Sequence, residues 1–216
     1  MTEKEAQLLA QAEAWVKEKL AADASGHDFW HVIRVCRLAK IIAQEEEGDV
    51  FICQLAALLH DMADDKLNAD PKKARQDILA WLAGHDVSQK QSDQVMTIID
   101  TISFKGGHGK PLTNLEAKIV QDADRLDAIG AIGIARCMAY SGHTGRLIHD
   151  PDRLPRETMT VEEYRKDGTA IMHFYEKLLT LKERMNTAYG RQLAEHRHQV
   201  LVSYLDEFYA EWDGLR

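Results

Sequence analysis

Three apolar helical stripes in this sequence are interrupted by residues that bind metals. His31, Val35, Leu38 and Ile42 follow the i, i+4, i+7, i+11 spacing, which sets His31 on a core-facing stripe. Ile52, Ala56 and His60 share a second face, with Leu59 alongside, and Asp61 follows at the expected helix end. In a third segment Val120, Asp124, Asp127 and Ala131 form one stripe beside Ile119, Ala123, Leu126 and Gly130. Asp122 falls on the opposite side with Lys118 and Arg125. Three helices thus direct His31, His60, Asp61 and either Asp124 or Asp127 inward. A buried carboxylate is costly unless it is paired or metal-bound, so several turned toward one interior require a shared cation. Two neutral imidazoles and two carboxylates suit one divalent first-row ion and balance its charge. On an octahedral ion they leave positions for water or substrate.

The elements that must carry these residues read as helices from end to end. Only 4 prolines occur in 216 residues, and good helix formers are abundant. Thr2 and Glu5 form a capping box for a first helix running to about Ala22. Asp28 caps a second that ends near Gly48, where a glycine suits the C′ position. Asp49 caps the third. Asp70-Pro71 opens a fourth that Gly84 closes. Ser88 with Gln91, Thr113 with Glu116 and Thr160 with Glu163 are further capping boxes, and a last helix covers roughly Thr187 to Trp212. No segment of useful length alternates apolar and polar residues, so no sheet is expected. The fold class is all-α, a single-domain helical bundle over 1–216, with a mobile loop at about 141–158 over a site.

Composition narrows the function. The formal net charge of −8 makes duplex nucleic acid a poor partner, while a small anionic substrate needs only a few local cations. No apolar run reaches the roughly 20 residues of a membrane span, and the N-terminus lacks a signal-peptide pattern. Cys36, Cys53 and Cys137 are odd in number and far apart, which argues against a disulfide framework or a thiolate zinc site. A cytoplasmic protein without membrane contact is expected; the oligomeric state is not readable.

In order along the chain, His31, His60-Asp61 and Ala-Asp-Arg-Leu-Asp-Ala at 123–128 resemble the H…HD…D signature of the HD-domain superfamily of metal-dependent phosphohydrolases. The surrounding segments GHDFWHVIRV (26–35), LAALLHDMADDK (55–66), VQDADRLDAIGAIGIAR (120–136) and HFYEKLLTLKERMNT (173–187) resemble a branch of small bacterial HD hydrolases. Some members of that branch release pyrophosphate from nucleoside triphosphates. The likeness covers most of residues 20–212. It implies an HD-type bundle and makes His31, His60, Asp61 and Asp124 ligands of one divalent ion, with Mn, Mg, Co, Ni, Fe and Zn not distinguished. Asp127 is the second choice for the fourth ligand; its alternatives are an N-cap or an ion pair with Arg125 or Arg136.

The resemblance also implies a mechanism. Water activated by a divalent ion attacks phosphorus while cations hold the phosphate oxygens. Related enzymes place an acid three residues beyond the HD pair, which makes Asp64 the first choice of general base and Asp65 the second. Arg34, i+3 from His31, and Lys66, after the HD turn, are candidate phosphate clamps, as are Lys105, which starts a Lys-Gly-Gly-His-Gly-Lys segment, and Arg125. His173 and Lys177 are expected to contact substrate. His85 and His108 are where extra ligands of a two-metal site would lie, but their glycine-flanked positions favour one metal. The expected activity is hydrolysis of a small phosphorylated substrate, a nucleotide. The alternatives are a two-metal HD-fold oxygenase and a non-catalytic nucleotide-sensing domain.

Overall fold

The structure, a computed structural model, describes residues 1–20, 28–63, 70–102, 112–156 and 168–216. No strand occurs among the described residues, in line with the expected all-α class. The helices are α1 (Glu3–Leu20), α2 (Phe29–Glu45), α3 (Val50–Leu59), α4 (Pro71–Gly84), α5 (Gln89–Thr101), α6 (Leu115–Asp127), α7 (Gly130–His143), α8 (Ala170–Glu176) and α9 (Ala188–Trp212). The chain divides into two compact units, Met1–Asp124 and Arg125–Arg216.

In the first unit α3 is the central helix. Its sequence VFICQLAALL is apolar nearly all round, and all but Val50 and Gln54 are buried. Such a helix must be enclosed, and α1, α2 and α5 pack on it. A short 3-10 turn, His60–Ala63, continues from α3 and packs against α4 and α5. Local caps set the helix starts. Thr2 and Glu5 exchange bonds at 2.6 and 3.3 Å, and the Asp28, Asp49 and Asp70 side chains accept from His31, Ile52 and Lys73 N–H groups. Ser88 and Gln91 complete a capping box.

Two local expectations are corrected. The left-handed residue after α2 is Glu47, with φ 57°, not Gly48. Gly48 follows it and donates to the Ala43 carbonyl at 2.9 Å. A Cβ on Gly48 would come within 2.5 Å of Ile119 Cδ1, so a side chain there would force the buried tip of Ile119 to shift. α4 ends at Gly84, as expected, and the left-handed residue beyond it is Asp86. The cap of α6 is Asn114, whose Oδ1 accepts from Ala117 N–H at 2.8 Å, not Thr113. Glu116, expected to close that box, accepts instead from the Asp49 N–H at 3.3 Å. The Thr160–Glu163 box lies outside the described residues.

In the second unit α7 packs against α9 and α8. Gly130 opens α7 at φ 74°, a conformation that favours glycine, and a Cβ there would stand a tight 3.1 Å from the Arg197 side chain. α7 runs through His143, taking in the first residues of the stretch read as loop. Beyond it, Leu147 and Ile148 carbonyls accept from Ala170 and Ile171 N–H at 2.9 and 3.0 Å. Arg156 binds the Glu176 carboxylate through its backbone N–H, Nε and Nη2 at 2.8–3.1 Å. Thr187 caps α9 by accepting from Gly190 N–H.

Candidate metal centre

The first unit brings together His31 from α2, His60 and Asp61 from the turn after α3, and Asp124 from α6. His31 is 0% exposed, His60 8% and Asp61 5%. His31 Nε2 lies 3.3 Å from Asp61 Oδ2 and 3.5 Å from Asp124 Oδ1. His60 Nε2 lies 3.2 Å from Asp61 Oδ1 and 3.9 Å from the same Asp124 oxygen. Each oxygen of Asp61 therefore faces one imidazole, and Asp124 faces both. One ligand atom each from His31, His60 and Asp124 lies within 4.8 Å of the others.

This donor set fits a divalent cation. The His60 Nδ1 shares a hydrogen with the Ala57 carbonyl at 2.8 Å, and a carbonyl can only accept, so Nδ1 is the donor and, in the neutral ring, Nε2 carries the lone pair. That buried Nε2 makes no hydrogen bond, yet it faces a carboxylate oxygen at 3.2 Å. Lone pairs opposed at that distance repel unless a cation lies between them. Ligands about 2.1 Å from a common ion stand roughly 3 Å apart at right angles and about 4.2 Å apart across it. The observed 3.2–3.9 Å separations fall in that range.

Asp127 is bonded to Arg136, Oδ2 to Nη1 at 2.8 Å, at the start of the second unit. Arg34 is half-buried on α2. Arg125 belongs to the second unit, where its guanidinium donates to the Arg184 carbonyl. His173 and Lys177 also belong to that unit; α8 ends at Glu176, so Lys177 is its C-cap and leaves helical geometry at φ −135°. His85 stacks on Trp81 with centroids 4.1 Å apart and bonds its carbonyl through Nδ1 at 2.7 Å. Asp64, Asp65, Lys66, Lys105 and His108 lie outside the described residues.

Asp122, opposite the Asp124–Asp127 stripe with Lys118 and Arg125, is 0% exposed. Residues 119–123 are all buried, so mid-α6 is covered on every side. Gln121 takes part in that enclosure, donating from Nε2 to the Ile102 carbonyl at 3.1 Å.

The class follows from comparison. The HD domain family model matches residues 29–129, and the chain belongs to the HD-domain superfamily. YpgQ, an uncharacterised protein of Bacillus subtilis (strain 168), is 36% identical over 98% of this chain and 97% of its own length. A crystal structure from Lactobacillus plantarum is 45% identical, with a TM-score of 0.86 and 99% of both chains covered. The crystal structure of YpgQ in complex with ADP gives a TM-score of 0.80 at 35% identity, with 96% of both chains covered. A structure described as an HD-superfamily hydrolase of Bacillus thuringiensis gives 0.77 at 39% identity over 97% of this chain and 98% of that one. No described helix is long and apolar enough to cross a membrane.

Proposed function

We propose that this chain is a cytoplasmic, metal-dependent phosphohydrolase that acts on a nucleotide, with release of pyrophosphate from a nucleoside triphosphate as the favoured reaction. The observation that carries the reading is the pair of imidazoles facing two carboxylates in the first unit, with a lone pair on His60 Nε2. The similarity to a hydrolase, and to a protein crystallised with ADP, brings in hydrolysis and the nucleotide.

His31, His60, Asp61 and Asp124 would hold one divalent ion. Bound there, such an ion lowers the pKa of water and draws charge from a phosphoryl oxygen. The His60 Nδ1–H bond to Ala57 keeps that ring's lone pair on Nε2. Asp64 accepts the proton of the attacking water, with Asp65 as its alternate. Arg34, Lys66, Lys105 and Arg125 hold phosphate oxygens, and His173 and Lys177 contact the substrate. No duplex nucleic acid or membrane takes part.

The test is a product-resolved screen: nucleoside mono-, di- and triphosphates, each with Mn²⁺, Mg²⁺, Co²⁺, Ni²⁺, Fe²⁺ or Zn²⁺. Pyrophosphate with a nucleoside monophosphate is the expected pair. Orthophosphate instead would make the enzyme a phosphatase. Tight nucleotide binding without any product under every metal would leave a sensor, and two irons per chain with oxygen uptake would leave an oxygenase.

A further inference from the structure

We propose that Asp28 is a positioning residue for the metal centre: by capping α2 it holds the helical turn from which His31 projects. The inference rests on the metal-centre reading above. The four candidate ligands differ in what holds them. His60 has its own side-chain bond to Ala57. Asp61 lies 5% exposed in a turn packed against α4 and α5. Asp124 comes nine residues after the start of α6. His31 has only Phe29 and Trp30 before it in its helix, so it sits in a first turn, where helices fray.

Asp28 closes that turn on His31 itself. Its extended backbone, φ −76° and ψ 170°, lets the side chain reach forward, and Oδ1 accepts from the His31 N–H at 2.8 Å. The same N–H reaches the Asp28 carbonyl at 3.0 Å. The capping acceptor is thus bonded to the backbone of a ligand, not to a neighbour. Phe29, 7% exposed, anchors the start of the turn, and its ring crosses that of Trp30 at 61° with centroids 5.2 Å apart. If the cap is lost, the turn opens more often, and only the closed fraction presents His31 Nε2 beside Asp61 and Asp124. Apparent metal affinity then falls by that fraction.

The experiment compares full-length Asp28→Ala and Asp28→Asn with the parent protein. Three quantities are read: Mn²⁺ affinity by calorimetry, hydrogen exchange at the His31 amide in metal-free protein, and melting temperature. Asp28→Ala should speed His31 exchange by about 2- to 30-fold, the range that loss of a helix cap spans, and weaken Mn²⁺ binding measurably, by no more than that factor. Asp28→Asn should restore both, because the amide oxygen caps as well as the carboxylate. Asp28→Ser replaces the alanine variant if that one does not fold: as a third capping residue it should keep parental affinity. Parental Mn²⁺ affinity in Asp28→Ala would overturn the proposal even with a lowered melting temperature, leaving Asp28 a stabilising cap only. An asparagine variant as weak as the alanine one would overturn it too, by assigning the effect to charge. If the parent protein binds no Mn²⁺, the metal reading itself fails and this inference with it; His31 exchange would still show whether the cap holds the turn.

Discussion

The carboxylate of Asp127 meets the Arg136 guanidinium at 2.8 Å, with the acid's side chain 1% exposed and the arginine's 17%. The backbone beside it is held too: Arg197 donates to the Leu126 carbonyl. Burial pushes the Arg197 pKa down, opposed by the nearby Asp127 charge. Asp127 and Asp124 are three residues apart on one helix, yet they stand in different surroundings. Asp124 faces two imidazoles, and Asp127 faces an arginine.

Alanine substitutions at these two positions should therefore fail in different ways. Asp124→Ala should lose bound metal and activity, with little change in the stability of metal-free protein. Asp127→Ala should keep its metal but unfold more easily, by about 1–3 kcal/mol, because it leaves a mostly buried guanidinium without its charge-assisted bond. Metal content by elemental analysis and urea unfolding curves check both halves. The opposite pattern would move the fourth ligand to Asp127.

His60→Ala and Asp61→Ala each remove a donor that faces the others at 3.2 Å. Each should weaken metal binding by more than the roughly 10–100-fold typical of losing an outer-shell partner. The helical circular dichroism of each should stay near that of the parent protein, since all of α3 but Val50 and Gln54 is buried. Stoichiometric metal in both purified variants would remove these residues from the ligand set.

The thiols give a pH prediction. Burial raises Cys36 and Cys137 to about 11 from an ordinary 9.0, and raises Cys53 further still. A raised folded-state value means that the native chain keeps protons the unfolded chain gives up. Stability is then fully present below about pH 9 and declines as pH climbs toward about 11. Two units correspond to roughly 2.7 kcal/mol per thiol at most. Denaturation midpoints measured from pH 8 to 11 should fall, and a Cys36→Ala/Cys53→Ala/Cys137→Ala protein should fall less steeply. Alkylation at pH 8 should be slow until the chain is unfolded.

What the sequence revealed and what it hid divide along a physical line. Asp28, Asp49, Asp70 and Ser88 were legible because a cap bonds within three residues of itself. His31, His60 and the α6 acids stood out because periodicity places them on buried faces, whatever covers those faces. Gly48 was misread because its reason is Ile119, which is distant in sequence. The burial of Asp122 was not legible, because a helical wheel shows which side is more apolar but not whether the other side meets solvent. Arg136 was only one of several partners considered for Asp127, since a nine-residue separation spanning the end of a helix does not fix a distance.

The last prediction separates catalysis from metal binding. Asp64 follows Asp61 by three residues, and Asp61 faces both imidazoles. If Asp64 takes the proton of the attacking water, Asp64→Asn should keep the metal and bind nucleotide nearly as well as the parent. An amide keeps the shape of the acid but cannot accept that proton. General-base assistance is typically worth about 10²–10⁴-fold, so kcat should drop by that order with KM little changed. Arg34→Ala should behave differently. A cation that grips phosphate in both the ground and transition states lowers KM, so removing it should raise KM whether or not kcat also falls. Both variants are to be measured at saturating metal, with turnover and nucleotide binding determined separately. Near-parental turnover in Asp64→Asn would pass the proton to another acid, Asp65 first, because the Asp127 carboxylate is already bonded to Arg136.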